Sequence, residues 1–218
     1  MVKFFENTFS YDYQWPAVTL AYFLRYPNPY STHVVSTDTL STRIDPETGT
    51  LHITRLHLKR GKLPASVARF IPKIKESYIL EKSIVDARNQ TLKTENRNLD
   101  WDGVLSVVEN QVYAPSGPDT TDVKTVVRFE SKFGRRAEVT EKRGWLGGWG
   151  AGSVQRSIEL VGRSRMRDGL QRSREGMKIV LEQLRERGFV GVVKEQRQGQ
   201  WERWKKVWRG EGKVQEES

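Results

Sequence analysis

The sequence predicts an α+β fold in a single domain: a concave antiparallel sheet of about seven strands, closed by an N-terminal helix and a long C-terminal helix so that it can enclose a cavity. Three observations carry the architecture. Seven runs rich in β-branched and aromatic residues succeed one another, with Asn, Asp, Gly and Pro between them. The dipeptide Trp15-Pro16 opens a helix after the first run. From about Val154 to Arg187 the apolar period changes to three and four.

Phe4 to Tyr11 reads as an aromatic strand. Proline at a first helical turn costs nothing, because its missing N–H would be unpaired there, so Trp15-Pro16 starts a helix with Val18, Ala21, Tyr22 and Leu24 on its core face. The prolines of "RYPNPYS" end it and leave Arg25 in its last turn. Then come "THVVSTDTLSTRI", the turn "DPETG", "TLHITRLHLKR", "SYILEKSIV", "TLKTENRNL", "GVLSVVENQVY" and "DVKTVVRFESKF", an antiparallel meander. Ile158, Val161, Met166, Leu170, Met177, Leu181 and Leu184 recur at helical spacing behind it.

Composition sets the partner class. The chain has 218 residues, 36% of them hydrophobic, enough for a sizeable core. No apolar run approaches the roughly 20 residues that cross a bilayer, and "MVKFFENTFS" carries neither a signal-peptide core nor a transit pattern, so a soluble protein is expected. There is no cysteine, and His33, His52 and His57 lack the companions of a metal cage; neither a metal nor a cofactor is expected. The formal charge of +10 calls for an anionic partner. Nucleic acid is one such partner, but no recognition motif is present and the basic segments are interleaved with aliphatic residues. A hydrolase is the enzyme alternative, and no nucleophile constellation is legible. The expectation is a protein that is not an enzyme.

Two segments specify the anion further. In "TLHITRLHLKR", Leu51, Ile53, Arg55, His57 and Lys59 share one face, apolar at one end and basic at the other, which suits an amphiphile. The next stretch, "KRGKLPASVARFIPKIK", has Lys59, Arg60, Lys62, Arg69, Lys73 and Lys75 with no acid. Leu63, Val67, Phe70 and Ile71 lie between these cations. Such a loop fits anionic headgroups, with its apolar side chains dipped below them, and it fits a lid over a cavity.

With these residues in view, the chain resembles the PRELI-like, or Ups, family of mitochondrial intermembrane-space phospholipid-transfer proteins, across residues 1 to 187. The motifs that carry the resemblance are "RYPNPYSTHVVSTDTLSTR", "TRLHLKRGKLP", "LKTENRNLD" and "SREGMKIVLEQL". The branch it is most similar to carries phosphatidic acid, with phosphatidylserine transfer as the alternative. The resemblance implies one phospholipid held between sheet, lid and helix, and shuttling from the outer to the inner mitochondrial membrane in support of cardiolipin synthesis. It also implies peripheral contact with anionic membrane and a heterodimer with a small twin-cysteine-motif helical hairpin protein. The implied headgroup-binding residues are Arg25, His33, Arg55, Lys59, Lys62, Arg165 and Arg172; the implied lid and membrane contact is Arg60, Leu63, Val67, Arg69, Phe70, Ile71 and Lys73. Gly169 and Val161 depart from the family pattern, and "RGWLGGWGAG", residues 143 to 152, is an enlarged approach to the helix with no assigned role.

Residues 188 to 218 lie beyond this domain. Here Trp201, Trp204 and Trp208 recur at three and four beside Arg203, Lys205 and Lys206, so on a helix they form one face. Three readings stand for this tail: a second membrane contact, a helix packed on the domain, or a poorly ordered extension.

Overall fold

The structure, a computed structural model, describes residues 2–61, 76–100, 105–131 and 147–208, with side chains from Arg167 to Gly199 in the last of these. Seven antiparallel strands, β1 (Val2–Tyr11), β2 (Val34–Ile44), β3 (Leu51–Arg60), β4 (Glu76–Asp86), β5 (Thr91–Asn98), β6 (Leu105–Gly117) and β7 (Thr120–Ser131), form one sheet in the order β1-β7-β6-β5-β4-β3-β2. Helix α1 (Trp15–Leu24) follows β1, a short 3-10 turn (Pro29–Ser31) follows α1, and helix α2 (Gly147–Trp208) follows the sheet. The strand runs, the helical opening and the late helix all stand where the sequence reading puts them. The last helix is longer than that reading, because helical geometry resumes after one non-helical residue, Gly188, with φ 66° and ψ 176°. A positive φ at low cost is what glycine supplies there.

Cross-strand register sorts the helix-covered face of the sheet into rows. One row runs Leu51, Val85, Leu92, Tyr113, Val123 and Phe9. Upon it pack Trp15, Val18, Ala21 and Tyr22 of α1, and Met177, Val180 and Leu181 of α2, which together make the core. Arg174 of α2 lies over the Phe9 ring at 4.2 Å, so the helix crosses the sheet as far as β1. The next row is Ile53, Ser83, Thr94, Gln111, Thr125 and Asn7, almost wholly polar. Ser83, Thr94, Gln111 and Thr125 are all buried in it. The third row begins with Arg55, Glu81, Asn96 and Glu109. The inner face is therefore graded from apolar to charged within three rows, and the charged end is where α1 terminates.

Candidate functional site: a buried arginine pair on Glu81

A helix ends with carbonyls that have no intrahelical partner. In α1 these are taken up one after another by side chains. Arg25 Nη1 donates to the Tyr22 carbonyl at 2.7 Å and Arg55 Nη1 to that of Phe23 at 3.1 Å. Gln196 Nε2 of α2 donates to Leu24 at 2.6 Å and Asn28 Nδ2 to Arg25 at 2.5 Å. Two of the four donors are guanidinium groups, whose charge complements the negative end of the helix dipole. Both arginines are almost fully buried.

Their charges meet one carboxylate. Arg25 Nη2 donates to Glu81 Oε2 at 2.5 Å, and Arg55 Nε donates to Glu81 Oε1 at 2.7 Å, with its Nη2 at 2.5 Å from the same oxygen. The Tyr22 hydroxyl donates to Oε2 at 2.8 Å and the Ser83 hydroxyl to Oε1 at 3.2 Å. Glu81 has no exposed surface. Burial alone would raise its pKa, but Arg25, the His57 hydrogen bond and Arg55 outweigh burial and hold the carboxyl well below its usual range. Tyr22 and Phe23 sandwich the guanidinium groups from the α1 side: the Arg25 carbon sits 3.7 Å from the Tyr22 ring centre, and that of Arg55 sits 4.9 Å from the Phe23 ring centre.

His57 Nε2 lies 3.1 Å from Glu81 Oε2, and its Nδ1 lies 2.9 Å from the Thr37 hydroxyl. Burial pushes the imidazole pKa below its ordinary value; Glu81 pulls the other way, while Arg25 and Arg55 add to the fall. A neutral ring beside an ionised carboxylate must place its proton on Nε2, so Nδ1 accepts from Thr37. With His57 neutral, two guanidinium charges face one carboxylate. The cluster carries one net positive charge into the interior.

A second basic group lies nearby. The amide of Arg60 donates to the His33 carbonyl at 2.7 Å, and Lys59 pairs with Val34, so His33 and Lys59 meet where β2 begins. The partly desolvated His33 ring is held below its usual pKa by burial first and then by the charges of Lys59 and Arg172. Arg172 comes within range because Gly176, one turn further along α2, abuts Asn28 so closely that a Cβ there would stand 2.7 Å from the Asn28 amide. Half-buried Lys59 also faces Tyr26 and Glu109: burial raises the Glu109 carboxyl against the pull of Lys59 and Arg25, whereas Arg25 and Lys59 lower the Tyr26 phenol against burial.

The residues picked out in the sequence thus fall into distinct places. Arg25 and Arg55 join on Glu81; exposed His33 and Arg172 and half-buried Lys59 gather beside them; Arg60 is tied to Glu76 at 2.7 Å on the surface. Lys62, Leu63, Val67, Arg69, Phe70, Ile71 and Lys73 lie outside the described residues, as do residues 143–146. So do the side chains of Val161, Arg165, Trp201, Trp204 and Trp208, whose helix backbone alone is described. Gly169 is exposed, with open space where a side chain would start. Glu81 is the residue that sequence reasoning misses. In "SYILEKSIV" the alternation favours Tyr78, Leu80 and Ile84 as the inner face, yet Tyr78 and Ile84 are exposed and Glu81 and Ser83 are inside. Its register opposite Arg55 is the signal that would have found it. Among the described residues no group of three or more His, Asp or Glu is placed to hold a metal ion.

An open seven-stranded antiparallel sheet, its inner face covered by two helices and charged where the first ends, defines a single-domain α+β protein. A sequence model of the PRELI-like family matches residues 16–187, and the chain belongs to that family. It is 35% identical over 187 residues to mitochondrial protein Ups1 of Saccharomyces cerevisiae, covering 85% of this chain and 97% of the relative. It is 36% identical to the Ups1 homolog of Schizosaccharomyces pombe, over 78% of this chain and 89% of that one. Human PRELI domain-containing protein 1, also named as mitochondrial, is 29% identical over 84% of this chain and 77% of its own length. Among solved structures, the Zhui aromatase/cyclase of Streptomyces sp. R1128 shares the fold, with a TM-score of 0.52 at 10% identity, over 86% of this chain and 99% of that one.

Proposed function

We propose that the protein extracts one phosphatidic acid molecule and carries it between the outer and inner mitochondrial membranes, supplying cardiolipin synthesis. Membership of the PRELI-like family supports lipid transfer in mitochondria. The observation that carries the cargo reading is the surplus of positive charge at the end of α1, one unit buried at Glu81 with Lys59 and Arg172 nearby, opposite an apolar row. Each methylene exposed to water costs about 0.8 kcal/mol, so a two-chain lipid leaving a bilayer unaided meets a barrier on the order of tens of kcal/mol. A phosphate monoester buried without partners costs several kcal/mol more. The graded inner face answers both demands without any chemical step, and the protein acts as a carrier, not an enzyme.

In this reading Lys59 and Arg172 contact the phosphate directly, together with Lys62 and Arg165, while the Glu81 cluster supplies a fixed positive background. The segment from Arg60 to Lys73 closes over the lipid and opens against anionic headgroups. The protein works in the intermembrane space, peripherally bound to membrane, as a heterodimer with a small twin-cysteine-motif hairpin protein. Liposome-to-liposome transfer, comparing phosphatidic acid with phosphatidylserine in the presence and absence of the hairpin protein, tests the proposal. Phosphatidic acid is expected to move faster; faster phosphatidylserine would reassign the cargo, and transfer of neither would overturn the carrier reading.

A further inference from the structure

The family match ends at residue 187, one residue before the break at Gly188, and the chain continues as helix to Trp208. One face of this continuation rests on the domain. Val192 is buried, Gln196 donates to the Leu24 carbonyl, and Arg187 is bonded to Glu195 at 2.5 Å, which together fix the orientation of the segment. At 100° per residue, Val190 points away from the side that carries Val192 and Gln196, and half-buried Val193 lies at the border between the two sides. Val190 is 77% exposed and its neighbour Phe189 51% exposed.

The same stripe continues along the helix. From Val190, steps of three and four lead through Val193 and Arg197 to positions 201, 204 and 208, all three tryptophan. Val190 and position 208 stand five turns apart, and so at the same angle round the axis. Across 189–208 there are five cationic residues against two acids, and one of the acids, Glu195, is already bonded to Arg187. An apolar and tryptophan stripe, with cations beside it and a polar side fixed to the domain, has the composition of a helix lying in a membrane interface. The stripe is too interrupted by charge to span one.

We infer that the helix after Gly188 is a membrane-docking surface that takes an anionic bilayer, separate from the cargo site and from the segment between β3 and β4. The exposed aliphatic side chain of Val190 lowers its free energy below a headgroup layer, which contact with a nucleic acid backbone would not give it. The cations at Lys194 and Arg197 add attraction to anionic headgroups.

Flotation of the full-length protein with vesicles tests this. The vesicles are phosphatidylcholine alone, or phosphatidylcholine with about a third phosphatidylglycerol, an anionic lipid that is not the proposed cargo. Binding is expected only to the second, falling about tenfold or more in the Val190→Asp/Val193→Asp variant and similarly in Lys194→Glu/Arg197→Glu. Val190, Lys194 and Arg197 are exposed and Val193 is half-buried, and unchanged thermal unfolding checks that the fold survives. Quenching of tryptophan fluorescence by brominated acyl chains should fall when Trp201, Trp204 and Trp208, three of the seven tryptophans, are all replaced by phenylalanine. Unchanged vesicle binding in both double variants overturns the inference, as does a dimer that dissociates on Val190→Asp/Val193→Asp while vesicle binding persists. Because binding is read without transfer, failure of the carrier reading leaves these outcomes intact.

Discussion

Arg25 Nη2 donates to Glu81 Oε2 at 2.5 Å while Nη1 of the same guanidinium donates to the Tyr22 carbonyl, so one side chain closes a helix and neutralises a buried acid together. Removing one partner of such a pair leaves an uncompensated charge in the interior, which costs about 3–5 kcal/mol. Glu81→Gln is therefore expected to lower unfolding stability by about that amount, since it strands Arg25 and Arg55 together. Arg25→Glu should be at least as damaging, because it sets two carboxylates side by side. A helix-end arginine in solvent is worth only about 0.3–1 kcal/mol, so chemical denaturation separates the two roles directly.

Lys59 and Arg172 should behave in the opposite way. Neither is paired in a salt bridge among the described residues; Lys59 is half-buried and faces Glu109, and Arg172 is exposed. Lys59→Gln and Arg172→Glu are expected to slow phosphatidic acid transfer about tenfold or more each, while stability moves by no more than about 0.5–1 kcal/mol. Transfer rates set beside denaturation midpoints give the comparison.

His57 predicts a pH dependence. Its folded pKa lies below the ordinary 6.5, so between the two values the unfolded chain binds more protons than the folded one. Stability then rises with pH across that interval and is lost as pH falls below about 6.5. Glu81, whose pKa is also lowered, adds a loss of the same sign at more acid pH. His57→Gln should weaken the dependence of melting temperature on pH just below 6.5, with His33, whose pKa is also lowered, supplying the remainder, and leave the acid limb in place.

Gly176 predicts a coupling between helix and turn. A methyl group there would collide with Asn28, whose Oδ1 accepts from the Tyr30 amide at 2.9 Å and whose Nδ2 holds the Arg25 carbonyl. Gly176→Ala should cost about 1–3 kcal/mol by overpacking. Asn28→Ala should cost about 0.5–2 kcal/mol as a lost cap. The double variant should be less destabilised than the two effects added, by about 0.5 kcal/mol or more.

Much of the fold was legible in the chain because its signals are local. Proline at the first turn of α1, the prolines after Arg25, and alternating β-formers between polar turns each act over a few residues, and each element appeared where they placed it. The charged site was only half legible. Arg25, Arg55, His57 and Lys59 could be read as inward cations from one helix end and one strand face. Their counter-charge could not, since Glu81 lies in a strand whose other face is the more apolar, and only pairing with β3 turns it inward. The reach of the last helix was missed for a related reason: Gly188 interrupts the period without ending the helix.

The strand order has a further consequence for how the chain folds. Every ladder from β2 to β7 joins consecutive strands, so five hairpins can form from neighbouring sequence. β1 alone must wait, because its partners in β7 lie 110 to 128 residues away. Contacts at that separation are slow to form, and of these seven strands the earliest to leave the ribosome is among the last to be paired. Until residue 131 has emerged, Phe4, Phe5 and Phe9 stand on a strand with no neighbour, and in that interval the chain is most exposed to aggregation or capture by a chaperone.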